Sequence, residues 1–412
     1  SNLSAGDTYT MKYRVISSVS GWFDNYKYIL QDLFNVTDYR QNTVTSLNEA
    51  IFNTRKLVLD DKYGGWDSLS KGHYNMEGKN TVSEANPMQS FQDYLLTGDE
   101  NMLEKRVIPT IAAYLTRPSL HFNRVGVSGG CNYWPVLTEP ESIGTPKTGY
   151  NLNVTGGLYE MTHGMIPYLY KLGLERGQSS VTNEYGSVAP FSNNLNLYLY
   201  TGDESYLEKA KAQADEYLET DVYKTGESIM SWNSFVYISN YPNLASMLDI
   251  YEVTKEQKYL DAAEYIGQQM LTGLWVPGVD NDKKDTQVEV NALGTFAYHA
   301  AEKSSGLWWA GDKQFRIGRE GTALDDLTGN KPMNDKHGYA PAWQTSRVGL
   351  GLEQPSTFEG SSSNIIMQYW AADFVRLSQY TGEKAFETAA RNAIIGRFGN
   401  YAGYYRTGFY TY

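Results

Sequence analysis

The feature that most limits what this chain can become is a short string that it writes more than once. Tyr200-Thr201-Gly202-Asp203-Glu204-Ser205-Tyr206-Leu207 has relatives at Leu96-Thr97-Gly98-Asp99-Glu100-Asn101-Met102-Leu103, at Val253-Thr254-Lys255-Glu256-Gln257-Lys258-Tyr259-Leu260 and at Tyr380-Thr381-Gly382-Glu383-Lys384-Ala385-Phe386. Each reads as one tight turn between two helices. A glycine such as Gly202 takes the left-handed conformation that ends a helix, and an acid such as Asp203 accepts the free amide hydrogens that begin the next. Beyond the turn, Leu207, Ala210, Ala214, Tyr217 and Leu218 recur at helical spacing, as do Leu260, Ala263, Ile266, Met270 and Leu271. The expected fold class is all-α, built from repeated helical hairpins that each carry a buried stripe.

The same periodicity predicts a helix over 43–59 and a first hairpin over 88–115. Further helices are expected over 157–174, 188–200 and 203–218, then a pair over 235–271, a helix over 288–303 and a last hairpin over 364–395. Long segments without periodicity, 60–87, 116–155, 272–287 and 304–360, join one hairpin to the next. In a ring or stack of hairpins the short Gly-Asp turns and these long connections lie at opposite ends. Long irregular loops are uncommon unless they bind or catalyse, so the end away from the Gly-Asp turns is where chemistry is expected.

A chain of 412 residues can bury one large repeat-built core. Its net charge of −12 offers no basic field for nucleic acid, and no run of about 18 apolar residues is present to insert in a membrane. Neither partner is expected. The single Cys131 excludes a disulfide framework and any multi-cysteine zinc site. No paired-histidine helix motif, phosphate-binding glycine loop or dinucleotide fingerprint occurs, and the acids of Asp280-Asn281-Asp282-Lys283-Lys284-Asp285 lack the glycine and spacing of an EF-hand, so neither metal nor cofactor is expected. The chain holds 34 Tyr, 9 Trp and 14 Phe beside 38 Gly, a mixture that suits sugars, whose C–H faces stack on rings while their hydroxyls need polar partners. The plainer reading is that many of these tyrosines fill helix–helix contacts.

Roughly six hairpins, the Gly-Asp turns, the aromatic long loops and the tail Tyr401-Ala402-Gly403-Tyr404-Tyr405-Arg406-Thr407-Gly408-Phe409-Tyr410 together resemble the (α/α) toroid, or six-hairpin, class of carbohydrate-active enzymes, over about residues 43–400. The segment Pro341-Ala342-Trp343-Gln344-Thr345-Ser346-Arg347-Val348-Gly349-Leu350, with the last hairpin and Gly396-Arg397-Phe398-Gly399-Asn400-Tyr401 after it, is similar to the toroid part of large secreted bacterial polysaccharide-degrading proteins. The resemblance implies an N-terminal segment 1–42, a catalytic toroid 43–400 and an aromatic exit 401–412 toward a further domain, commonly a β-sandwich outside this chain. It also implies an oligo- or polysaccharide substrate and a secreted, periplasmic or cell-surface place in a bacterium.

Two reactions suit such an architecture. β-Elimination at a uronic acid needs a group that neutralises the carboxylate, a base for the proton beside it and an acid for the leaving oxygen. Here His163 or His337 is expected as base, Tyr339 as acid, and Asn233 and Arg347 on the carboxylate. Trp66, Trp134, Trp232 and Trp343 are the candidate sugar platforms, with Asn291, Gln344 and Glu353 as further binding residues. The grouping of His337, Tyr339, Trp343, Gln344 and Arg347 favours elimination. Its bland counterpart is a loop anchored by its own aromatics, and for His163 a core histidine. Trp232-Asn233 and Asn291 have the alternative of capping a helix or loop. Of the other histidines, His299 falls inside a predicted helix, and His73 and His121 fall in loops with no partner evident. Hydrolysis would instead need two carboxyl groups about 5 Å apart, or about 6.5–9.5 Å apart. Glu84, Glu160, Glu353 and Glu359 are the acids in or just after long connections. A third possibility is a glycan-binding helical repeat without catalysis.

Overall fold

The structure, a computed structural model, describes residues 8, 10, 13–33, 46–59, 61, 66–68, 71–74, 82–84, 87–116, 148–178, 189–224, 242–272, 287–291, 337–341 and 370–395. These are predominantly helical. Five hairpins stand among them. The first pairs α3 (Pro87–Thr97) with α4 (Glu100–Met102) and α5 (Ile108–Thr116), the latter two joined by a wider π-helical stretch, Leu103–Val107. The second pairs α6 (Thr148–Met161) with α7 (Pro167–Gln178), and the third α8 (Ser192–Thr201) with α9 (Glu204–Tyr217). The fourth is α10 (Leu244–Thr254) with α11 (Gln257–Thr272), and the last α12 (Trp370–Thr381) with α13 (Lys384–Ile394). Two helices precede them, α1 (Trp22–Lys27) and α2 (Leu47–Leu59).

Four of the five hairpin turns are one hydrogen-bonded device. Gly98, Gly202 and Gly382 stand at φ 70°, 72° and 77°, and Lys255 takes the same place at φ 57°. The acid after the glycine caps the next helix: Asp99, Asp203 and Glu383 accept from the amides of Asn101, Ser205 and Ala385. The threonine before it bridges the two helices. Thr201 Oγ1 donates to the Leu197 carbonyl at 2.7 Å and accepts from the Asp203 amide at 3.2 Å. Thr97, Thr254 and Thr381 repeat both bonds. A threonine hydroxyl thus occupies a free carbonyl of one helix while fixing the start of the other.

The hairpins pack in sequence order. Phe91, Met102 and Val107 of the first share a buried cluster with Leu158, Leu169 and Leu172 of the second. A larger cluster runs from Phe191 and Leu195 through Met247, Ile266 and Met270 to Phe374 and Phe386. The two N-terminal helices touch opposite ends of this series. On α1, Phe23 stacks on Phe386 at 6.2 Å between centroids, Tyr26 donates to the Leu271 carbonyl and Lys27 pairs with Glu383 at 2.7 Å. On α2, Arg55 pairs with Asp99 at 3.4 Å, and the Val58 carbonyl accepts from Arg106 of the first hairpin.

Three expectations are corrected. The helix expected over 157–174 is two helices, the first of which already opens at Thr148, inside the segment 116–155 expected as irregular. They are broken where His163 and Gly164 both take positive φ, 50° and 74°. The segment expected as a loop over 60–87 holds a three-stranded antiparallel sheet, β1 (Trp66–Asp67), β2 (Gly72–Tyr74) and β3 (Val82–Glu84), whose strands of two or three residues are too short to carry a period. The helix expected to open at Val288 opens as a strand. β4 (Gln287–Asn291) pairs antiparallel with β5 (His337–Pro341), and the alternation Gln-Val-Glu-Val-Asn has the period of two that a strand needs.

Candidate functional site

The ribbon β4–β5 gathers residues that lie far apart in the chain. Its register opposes Asn291 to His337, Glu289 to Tyr339 and Gln287 to Pro341. Residues directly opposed in an antiparallel pair, and those two apart along a strand, share one face. One face therefore carries Gln287, Glu289, Asn291, His337 and Tyr339, and the other Val288, Val290, Gly338 and Ala340. One of the two bases expected from sequence, His337, the expected acid Tyr339 and the amide Asn291 hold register positions on the same face of one ribbon. Sequence reasoning missed Glu289. The signal that could have found it is the Val-Glu-Val alternation, which fixes a strand and so fixes which neighbours share a face.

His163 is placed elsewhere. It is exposed in the turn between α6 and α7, and its amide donates to the Glu160 carbonyl at 2.8 Å. Tyr170 stacks on Tyr200 at 4.9 Å between centroids, and the Tyr200 hydroxyl donates to the Leu169 carbonyl. Tyr200 stands two residues before Gly202, so the His163 turn lies at the end that carries the Gly-Asp turns. The helix expected over 157–174 would have put His163 in its first turns, beside the connection 116–155, and the structure puts it at the other end. Glu160, exposed in the last turn of α6, lies at the same end.

Trp66 lies in β1, half-buried, with the Arg106 guanidinium 4.5 Å from its ring centroid. Arg106 is only 2% exposed. It donates to the carbonyls of Val58 and Lys105 and pairs with Asp61 at 2.7 Å, so one use of the Trp66 ring is to cover a buried cation. Thr110 Oγ1 donates to the Lys71 carbonyl and ties the β1–β2 turn to α5. The first sheet thus sits between the C-terminus of α2 and the start of α3, at the end of the first hairpin away from Gly98. Across it, Trp66 is opposed to His73, and His73 to Glu84.

The rest of the expected site, namely Trp134, Trp232, Asn233, Trp343, Gln344, Arg347, Glu353 and Glu359, lies outside the described residues. The same holds for His121, for His299 and for the exit 401–412. Among the described residues no group of three His, Cys, Asp or Glu is placed to hold a metal ion, and no helix is long and apolar enough to cross a membrane.

Several tyrosines follow the plainer reading of composition. Tyr159, Tyr170 and Tyr200 pack on one another, the Tyr217 hydroxyl accepts from the Asn243 amide, and Tyr259 donates to Asp215 at 3.0 Å. These hold hairpin to hairpin. No protein-family model matches the chain, and no curated protein matches it.

Proposed function

We propose that the hairpins close into an (α/α) toroid of about six pairs, and that the chain cleaves a uronic-acid-containing polysaccharide by β-elimination at the β4–β5 ribbon. Ring closure is supported by α1 and α2, successive in the chain, which contact the last and the first described hairpin respectively. The observation that carries the chemistry is the register that sets Asn291 opposite His337 and puts Tyr339 on the same face.

In this reading Asn291, with Asn233 and Arg347, hydrogen-bonds the uronate carboxylate and stabilises the charge that spreads into it as the neighbouring proton leaves. His337 takes that proton from the carbon bearing the carboxylate. The C–H electrons become a carbon–carbon double bond, the bond from the next carbon to the glycosidic oxygen breaks, and Tyr339 supplies the proton that this oxygen needs. Water is not consumed. Hydrolysis would need a second acid at a set distance from the first, and the ribbon face carries one carboxylate, Glu289.

The test is incubation with uronate polymers while following the ultraviolet absorbance of the unsaturated product. His337→Ala and Tyr339→Phe should each lower kcat by about 10²–10⁴-fold with unchanged circular dichroism. Reducing ends released without that absorbance would replace the reading by hydrolysis. Saturable binding with no product would replace it by a glycan-binding helical repeat.

A further inference from the structure

The first sheet holds a second row of chemistry-bearing residues. Trp66, His73 and Glu84 are Cα partners in succession across β1, β2 and β3, so a tryptophan, a histidine and a glutamate occupy one line of register positions across the sheet. In sequence they span nineteen positions with nothing periodic between them, and only the strand pairing aligns them.

Three observations point away from a purely structural patch. The sheet lies in the connection between α2 and the first hairpin, at the end of that hairpin away from Gly98, where the Arg106 guanidinium stands over Trp66 and Thr110 Oγ1 donates to the Lys71 carbonyl. The pairing is irregular between His73 and Tyr74, because Val82 and Glu84, two apart on β3, meet adjacent residues of β2. Such bulges bend a strand and re-aim a side chain, and they concentrate beside functional sites. Third, directly opposed residues stand about 4.5–5.5 Å apart at their β-carbons, the spacing at which a carboxylate orients an imidazole and a ring beside both gives a sugar a stacking face next to hydrogen-bonding partners.

We propose that the aligned row Trp66–His73–Glu84 on the first sheet is a sugar-binding subsite, separate from the β4–β5 ribbon, that holds a further unit of the glycan chain. Trp66 supplies the platform, and His73 and Glu84 recognise the hydroxyls of one sugar ring. The inference rests on the reading that the chain acts on a polysaccharide. It adds a prediction about substrate length: a chain long enough to occupy both places binds more tightly than one that fills the ribbon alone.

The experiment uses the full chain carrying His337→Ala to prevent turnover, titrated calorimetrically with tri-, tetra- and hexasaccharides of alginate and of polygalacturonate. His73→Ala and Glu84→Gln, added singly, should weaken hexasaccharide binding about tenfold and trisaccharide binding less than twofold. Trp66→Phe keeps an aromatic cover over Arg106 and should weaken the hexasaccharide in the same way. In the catalytically intact chain, His73→Ala should raise KM for long polymer while leaving kcat unchanged. Equal affinity of variant and parent for every length overturns the subsite and leaves the elimination reading standing. Hydrolytic products, with KM still sensitive to His73→Ala, overturn elimination and leave the subsite. Absence of binding to every oligosaccharide in the parent overturns both.

Discussion

Gly267→Ala tests the packing that holds the last two described hairpins together, because two opposing effects act at one atom. Gly267 lies buried inside α11, where alanine is favoured over glycine in a helix interior by about 0.5–1 kcal/mol. A β-carbon there would stand 2.4 Å from Leu377 Cδ2 and 3.0 Å from Phe386 Cε1. Neither neighbour has anywhere to go: both are 0% exposed, and Phe386 is already stacked on Phe23 and packed against Phe374. Forcing a methyl into a filled core costs about 1–3 kcal/mol, so the clash outweighs the propensity gain and a net loss of about 1–2 kcal/mol is expected. Chemical unfolding followed by tryptophan fluorescence and far-ultraviolet dichroism measures it. Leu377→Ala alone should cost about 2–5 kcal/mol, and in the Gly267→Ala background less than the two losses added, since the new methyl fills part of the space vacated. A stabilised Gly267→Ala protein, or losses that simply add, would refute the close approach of α11 and α12.

The left-handed turns make a contrasting pair. Nothing lies within 4 Å of a β-carbon built on Gly202, so Gly202→Ala should lose only the strain of its φ of 72°, about 1–2 kcal/mol, visible as a lower unfolding midpoint. Lys255→Gly relieves that strain but gives up the Lys255 ammonium 5.3 Å from the Tyr251 ring, worth about 0.5–1 kcal/mol, and frees the unfolded chain by a similar amount, so its midpoint should stay close to the parent's. Asp373 provides the pH test. Burial pushes its carboxyl above the ordinary aspartate range against the pull of Arg376, 2.9 Å away. The folded state therefore binds this proton more readily than the unfolded chain, and the cost of the charged form is present at neutral pH and fades as pH falls through the raised value. Melting temperature measured against pH should show that slope, and Asp373→Asn should flatten it.

What the sequence disclosed follows from how local each signal is. The Thr-Gly-Asp turn is complete within a few residues, so its left-handed glycine and its capping acid could be read directly, whereas the threonine bridge between the two helices came from the structure. The long stripes of α9 and α11 were legible for the same reason. The His163 turn was not, because its left-handed residue is a histidine and its boundary is set by helices that meet through Tyr159, Tyr170 and Tyr200, one of which belongs to the next hairpin. The strands were hidden by length. Two or three residues show no period, and even the alternation of Gln287 to Asn291 was absorbed into the helix expected after it.

The two places with chemistry to offer are both made by pairing between strands that the sequence separates. Asn291 and His337 are forty-six positions apart, and Glu289 acquires meaning only once Tyr339 is known to stand opposite it. The repeated turn is the reason this matters for function. In three of the four repeated turns the acid is spent on capping the helix that follows in the same hairpin. Strands placed in the connections have no such obligation. Their register sets Asn291 opposite His337 and Glu289 opposite Tyr339, and it is there, rather than in any recurring motif, that the elimination proposed above would take place.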